Sequence, residues 1–158
     1  MRDNPLCFTG HGRGLTLTIN CLASFLVLWR DSSASPRSRH SIDFFVVPTA
    51  TFRVLFVFVV LSHARRRVLH FQVTDHPSQD WTMQQIREAF PWDQGCRYLL
   101  RDRDAIYGDD WVEMTKGLGM EEVITAPRSP WQNPYVERLI GSIRCECLDH
   151  VTAPMHSI

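Results

Sequence analysis

Three acidic residues of this chain occur at positions where a carboxylate is unfavourable. Asp43 lies inside the apolar run 42–47, Asp102 follows the apolar end of a predicted strand, and Glu137 lies beside the apolar stripe of a predicted helix. A buried carboxylate without a partner is costly, so each needs a cation, a hydrogen-bond donor or a metal ion. Taken singly, each could form a salt bridge to one of the many arginines or cap a helix. The elements that carry the three acids decide whether they can act together.

The helix that carries Glu137 is the most strongly patterned element. Asn133 can cap it through its side-chain oxygen, and Pro134 suits the first helical position, where no amide donor is needed. Glu137, Gly141 and Arg144 then share one face, which could serve as a floor for a metal ion and a phosphate. The buried stripe is predicted to consist of Val136, Leu139, Ile140, Ile143 and Cys147.

The segments before this helix predict a mixed α/β fold. Strands are expected at 42–47, 54–61 and 68–73, joined by short connections into an antiparallel meander. A helix capped by Ser78 or Asp80 and stopped by Pro91 follows, and then come a strand at 98–100, a helix at 109–117 and a strand at 122–125. The order βββαβαβα implies a five-stranded sheet, with three antiparallel strands and two more, flanked by helices.

Composition narrows the classes of function. The formal net charge is zero, which argues against a purely electrostatic nucleic-acid binder but allows local basic patches such as 65–67. The five cysteines form no zinc-like CxxC pair, and reduced, buried or idle thiols are expected. His63, His70 and His76 are too irregularly spaced to suggest a zinc site.

The first forty residues differ from the remainder. The apolar run 15–29 could be a secretory signal, an extra helix or strand covering the core, or non-native sequence before a truncated gene. The last two explanations are favoured, because the remainder indicates an intracellular enzyme core. We therefore expect an atypical segment and linker at 1–40, a catalytic core at 41–151, a tail at 152–158, and a cytoplasmic protein that does not span a membrane.

Three stretches of the core resemble the retroviral-integrase-like superfamily, in particular the catalytic domain of bacterial insertion-sequence transposases. They are Ile42–Asp43–Phe44, the segment 100–107 from Leu100 to Tyr107, and the segment 126–138 from Ala126 to Arg138. The intervals between Asp43, Asp102 and Glu137 are similar to those of this family. The family also has an aromatic residue five positions after its second acid, which favours Asp102 over Asp104.

The resemblance implies an RNase H-like fold and a DDE-type polynucleotidyl transferase. Asp43, Asp102 and Glu137 would be the catalytic residues and the ligands of two Mg²⁺ or Mn²⁺ ions, which suit oxygen-only ligation. The attacking group would be water in the first step and a DNA 3′-hydroxyl in strand transfer. Transposon ends and target DNA would be the partners, the active form would be a homo-oligomer, and no small-molecule cofactor is expected. DNA contacts are expected from Arg144, Arg128, Trp131 and Arg138. Arg128 could equally be a charge on the loop surface, and Trp131 could instead pack under the loop.

The sequence also departs from the family. No helix-turn-helix region is evident in 1–40, and the chain ends soon after the Glu137 helix, so a truncated or decayed transposase is expected. Asp104 and Ala105 stand where related sequences tend to have glycine, which would cost about 1 kcal/mol if the backbone there needs a positive φ. The alternative is a catalytically inactive remnant that acts at most as a DNA- or protein-binding module.

Overall fold

The computed structural model describes residues 39–49, 53–64, 66–91 and 96–148. Of the predicted N-terminal segment 1–40, the structure describes only Arg39 and His40, which lie in a strand, and the predicted tail 152–158 lies outside these ranges, so the expectations for both stay predictions. The elements follow the predicted order, and their strands and helices are β1 (Arg39–Pro48), β2 (Val54–Ser62), β3 (Arg67–Thr74), α1 (Gln79–Ala89), β4 (Tyr98–Arg101), α2 (Asp109–Gly117), β5 (Glu121–Ile124) and α3 (Pro134–Ile143).

The five strands form one mixed sheet in the order β3-β2-β1-β4-β5. β1, β2 and β3 pair antiparallel, whereas β4 lies parallel to β1 and β5 lies parallel to β4. The predicted RNase H-like architecture is therefore confirmed. The parallel pairing places Ser41 opposite Leu100, so the chain following β4 runs alongside the middle of β1.

Side chains that alternate along the strands divide the core between the two faces of the sheet. On one face, β1 to β3 pack against α3 through a cluster that includes Phe45, Val59, Val136 and Ile140. On the other face, Ile42 and Phe58 belong to the cluster that contains residues of α1 and α2. β2 is buried on both faces over most of its length, as its unbroken apolar run predicts. Asp43 has the parity of Phe45 and therefore belongs to the α3 face.

Two predictions about the ends of α3 were wrong: the capping role of Asn133 and the length of the α-helix. Ser78 caps α1, with its hydroxyl accepting from the Trp81 amide at 3.2 Å, whereas Asn133 precedes α3 without any side-chain capping bond. The predicted stripe of α3 is buried from Val136 to Ile143, but a π-helical turn, Arg144–Leu148, replaces the α-helix that was expected to reach Cys147. The wider turn changes the angular spacing of the residues that follow Ile143.

The described helices are short. α1 has 11 residues and α3 has 10, about half of the roughly 20 apolar residues that a bilayer-spanning helix needs. In the described ranges, no helix is long and apolar enough to cross a membrane.

Candidate active site

The sheet topology brings the three predicted acids to one cleft. Asp43 lies in β1, Asp102 directly follows β4, and Glu137 lies in the first turn of α3, which packs over β1. Because Ser41 is the partner of Leu100 in the parallel ladder, the residues two positions further on, Asp43 and Asp102, lie at neighbouring places. All three acids line a cleft with a volume of about 380 Å³. Its remaining lining residues are Arg103, Asp104, Thr125, Ala126, Pro127, Arg128, Ser129 and Asn133.

Asp43 is the most perturbed of these acids. Burial raises its pKa from 3.8 to about 7, and the nearby carboxylates of Asp102, Glu137 and Asp104 act in the same direction. One hydrogen bond opposes this shift, since the Phe44 amide donates to Asp43 Oδ1 at 2.8 Å. A poorly solvated carboxylate facing other carboxylates is stabilised by a cation, and such a perturbation is typical of functional sites.

Asp102 shares this environment to a smaller degree. Burial raises its pKa, the carboxylate of Asp104 acts in the same direction, and the Asp104 amide lowers it by donating to Asp102 Oδ1 at 3.3 Å. The charge of the adjacent Arg101 also lowers the pKa of Asp102, but the Arg101 side chain is paired with another acid, since its Nε donates to Glu122 Oε2 at 2.6 Å. Thr115 completes this buried group by donating its hydroxyl to the other oxygen of Glu122.

The ion-pairing state of the three acids decides whether they can bind a ligand. Within the described ranges, none of Asp43, Asp102 and Glu137 forms an ion pair, so each carboxylate remains available to a ligand. Their oxygen-only donor set fits Mg²⁺ or Mn²⁺ and does not resemble a zinc site. In their present side-chain positions, however, no three His, Cys, Asp or Glu residues of the described part are close enough to hold one ion in common. A shared ion would therefore require the carboxylates to move towards one another.

The backbone strain that the sequence predicted at Asp104 is not present. Its φ is not positive, so no left-handed backbone is needed where related sequences tend to have glycine. Its carboxylate instead accepts from the Ile106 amide at 3.2 Å, which stabilises the turn after Asp102. Asp104 lines the cleft together with Asp102, so sequence spacing alone distinguishes the two as metal ligands.

Two further cleft residues were not predicted as site residues. Arg103 brings a cation into the acidic cleft, and its Nε donates to the Thr125 carbonyl at 3.2 Å, which joins the ends of β4 and β5. Asn133 is 6% exposed, and its Oδ1 is buried without a hydrogen-bond partner. The sequence indicated Asn133 only as a helix cap. Because its side chain makes no capping bond, Asn133 Oδ1 stays without a partner, and the residue lines the cleft with the acids.

The four predicted DNA-contacting residues are placed differently. Arg128 lines the cleft and has a φ of 56°, a left-handed conformation that is strained for a non-glycine residue. Trp131 is 72% exposed on the turn before α3. Arg138 and Arg144 are exposed on and after α3, outside the lining of the cleft.

Tyr107, whose offset helped to select Asp102, is a core residue. Its ring packs on Trp111 with centroids 4.7 Å apart, and the Arg101 guanidinium lies 4.8 Å from its centroid. Burial, followed by the charges of Asp102, Asp43 and Asp104, raises its pKa well above the usual value. The hydroxyl therefore stays protonated, and it is buried without a hydrogen-bond partner.

The three histidines considered in the sequence analysis have different partners. His63 is hydrogen-bonded to Ser41, His70 is hydrogen-bonded to Gln85, and His76 contacts Asp75. Cys96 is buried and Cys145 is exposed, and both are free thiols.

Solved structures of retroviral integrases share this architecture. The BIV integrase catalytic core matches with a TM-score of 0.55 at 15% identity, over 68% of this chain and 66% of that chain. The fold is that of an integrase catalytic core. The HTLV-2 integrase catalytic core in complex with magnesium, in a dimeric form, matches with a TM-score of 0.55 at 12% identity, over 70% of this chain and 69% of that one.

A larger assembly contains the same integrase fold. A chain of the simian T-cell lymphotropic virus intasome, in complex with the PP2A regulatory subunit B56 gamma, matches with a TM-score of 0.62 at 10% identity. The match covers 81% of this chain but only 46% of the simian virus chain. No protein-family model and no curated protein sequence matches this chain. At these identities, the likeness concerns the fold.

Proposed function

We propose that this chain is the catalytic core of a DDE-type transposase of the bacterial insertion-sequence kind, which cleaves and joins DNA strands. The observation that carries the proposal is the meeting of Asp43, Asp102 and Glu137 at one cleft. The integrase catalytic-core fold supports it, because three separate elements of that fold supply these acids. The sequence motifs around the three residues favour a transposase over other proteins of the same fold.

Each cleft residue has a proposed role. Asp43, Asp102 and Glu137 would hold Mg²⁺ or Mn²⁺ through their carboxylate oxygens, and the charges of Asp102 and Glu137 both act on Asp43. Two ions bound there would supply activation of the attacking oxygen and stabilisation of the leaving oxygen in an in-line displacement. The magnesium in the HTLV-2 integrase core supports this choice of metal.

The cationic residues would place the DNA. Arg128 would contact a phosphate from within the cleft, and Arg103, which lines the same cleft, would do the same. Trp131, exposed beside the cleft, would stack on a base, while Arg138 and Arg144 would contact the backbone along α3. The water of the first step and the DNA 3′-hydroxyl of strand transfer would attack without a covalent protein–DNA intermediate. The active form would be a homo-oligomer acting in the cytoplasm.

The decisive experiment compares two aspartate variants of the full chain on end-labelled DNA. With Mn²⁺ or Mg²⁺, we expect strand cleavage by the wild type and a reduction on the order of a hundredfold or more in Asp102→Asn, which removes a proposed ligand. Asp109→Asn is the matched control, because Asp109 is an exposed acid at the start of α2, outside the cleft. Cleavage that survives in Asp102→Asn, or that is abolished equally in Asp109→Asn, would refute the proposed site.

A second candidate is a non-catalytic remnant that only binds DNA or protein. It is favoured by the present positions of the carboxylates, since no three of the described metal-binding side chains are within reach of a common ion. Absence of metal-dependent cleavage and of metal binding in the wild type would select this candidate.

A further inference from the structure

A second pocket lies on the same face of the sheet as the acidic cleft. Its volume is about 570 Å³, and its wall is formed by Arg39, His63, Tyr98, Leu100, Val123 and Tyr135; we call it the tyrosine groove. α3 packs over β1, β2 and β3, and within the described part of the chain no helix of the core cluster on this face covers β4 and β5. Val123 is accordingly 41% exposed, a high value for an apolar strand residue.

The groove is distinct from the acidic cleft but adjoins it. The two share no lining residue, and Arg39 precedes Asp43 on β1 by four positions, which is about 13 Å along a strand. The turn before α3 forms the border, since Asn133 faces the cleft whereas Gln132 and Pro134 line the groove. A bound chain could therefore continue from one into the other.

Three arginines surround the two tyrosines of the groove. The guanidinium carbons of Arg97 and Arg39 lie 5.1 Å and 5.9 Å from the centroid of Tyr98. Arg66 lies 5.1 Å from the centroid of Tyr135 on the other wall. None of these three arginines forms an ion pair with a carboxylate in the described part of the chain. The groove therefore combines unneutralised positive charge with an aromatic and apolar floor.

The backbone at Arg66 is a separate indication. In the described ranges, the non-glycine residues with positive φ are Arg66, at 52°, and Arg128, at 56°. Both are arginines, with one beside the tyrosine groove and the other in the acidic cleft. A non-glycine residue in this conformation is unfavourable, and such strain is concentrated at binding sites.

We propose that the tyrosine groove binds a single strand of nucleic acid, with its phosphates on Arg39, Arg66 and Arg97 and its bases over the tyrosine and apolar floor. Guanidinium groups that lie over aromatic rings keep N–H donors for phosphate oxygens and offer a plane for base stacking. Stacking platforms combined with arginines are the usual means of binding single strands without sequence preference. The groove extends the proposed function to a second DNA surface, but binding there does not require cleavage in the acidic cleft.

Binding is tested by fluorescence anisotropy of the full chain with a dye-labelled poly-thymidine strand in EDTA. We expect Arg39→Ala combined with Arg97→Ala to weaken binding and to reduce the slope of log affinity against log salt by about 0.7 for each phosphate that is no longer neutralised. Tyr98→Leu should weaken binding by roughly fivefold or more. Arg87→Ala is the matched control, because Arg87 is an exposed arginine on α1, on the opposite face.

Arg66→Gly separates binding from stability. Glycine relieves the positive φ, so the thermal midpoint should stay the same or rise, whereas affinity for the strand should fall. If Arg66 served only the fold, the midpoint would fall and the affinity would not change, which contradicts the proposal.

Two results would refute the proposal that the tyrosine groove binds a nucleic-acid strand. One is equal affinity for the strand in the wild type and in the Arg39, Arg97 and Tyr98 variants, or an equal decrease in Arg87→Ala. The other is protection of Tyr98 and Tyr135 from nitration before DNA is added, which would mean that another part of the chain or a second copy covers them. Asp102→Asn should retain strand binding in EDTA while losing cleavage, so failure of the groove is distinguishable from failure of the acidic cleft.

Discussion

At the scale of single residues, the candidate site contains a carboxylate, Asp43, whose burial disfavours its charged form. Asp43 lies in the middle of an apolar strand, where its neighbours Ile42 and Phe45 belong to the core. The Phe44 amide donates a hydrogen bond to its carboxylate, whereas the other acids of the cleft add repulsion. A protein that needed Asp43 only for stability would be better served by an uncharged side chain at this position. The cost is explained if the carboxylate serves a ligand.

The Asp43→Asn variant should be more stable than the wild type at high pH. Because the pKa of Asp43 is about 7 in the folded chain and near 3.8 when unfolded, the folded state holds an extra proton between these values. Wild-type stability therefore falls as pH rises from about 4 to about 7 and changes no further from this cause. The gain in Asp43→Asn should reach on the order of 2–4 kcal/mol at about pH 8 and be small near pH 4.

Urea unfolding in EDTA measures this gain. Asp109→Asn is the control, because an exposed acid should change stability by less than about 0.5 kcal/mol. A wild type that is as stable at pH 8 as Asp43→Asn would show that Asp43 is not strained by its surroundings.

At the scale of elements, the helices α1 and α3 begin in different ways. Ser78 caps α1 with a hydrogen bond to the Trp81 amide, and this local pattern was recognisable in the sequence. Asn133 occupies the same position before α3, yet its side chain makes no such bond and its Oδ1 is buried beside the acids. The sequence pattern for a cap is the same in both cases. The different outcome becomes visible only in the folded chain, where Asn133 Oδ1 is buried without a partner.

Alanine substitutions at the two N-cap positions should therefore differ in their effect on stability. Ser78→Ala should lower the free energy of unfolding by about 1 kcal/mol, since a capping bond is removed. Asn133→Ala should cost less than about 0.5 kcal/mol or stabilise, because it removes an unpartnered buried polar atom. If Asn133 contacts substrate in the cleft, the same variant should lower metal-dependent cleavage while Ser78→Ala does not. Denaturant unfolding and a cleavage assay test both; a decrease in stability in Asn133→Ala as large as that in Ser78→Ala would contradict this account.

At the scale of the whole molecule, the fold was well predicted because it depends on local patterns. The helix at 109–117 matches α2 in both bounds, and the unbroken apolar run from Val54 indicated β2 as the buried strand. The convergence of Asp43, Asp102 and Glu137 on one cleft was expected from the family resemblance and not from periodicity. Arg103 and the tyrosine groove were missed, since they depend on which face of the sheet α3 leaves open, and no short sequence pattern encodes that.

The whole molecule should be stabilised by the ion that its cleft is proposed to bind. A ligand that binds only the folded state stabilises it by about 2.7 kcal/mol at a hundred times its Kd, enough to raise the Tm by several degrees. Mn²⁺ should therefore raise the Tm of the wild type, and more at pH 8 than at pH 6, because Asp43 must lose its proton to bind and its pKa is about 7. Asp102→Asn should lose most of this shift and Asp109→Asn should keep it.

Thermal unfolding with and without the metal tests whether the cleft binds an ion. An equal Tm in both conditions would mean that the three acids meet without forming a metal site, and the non-catalytic remnant would then be the better description.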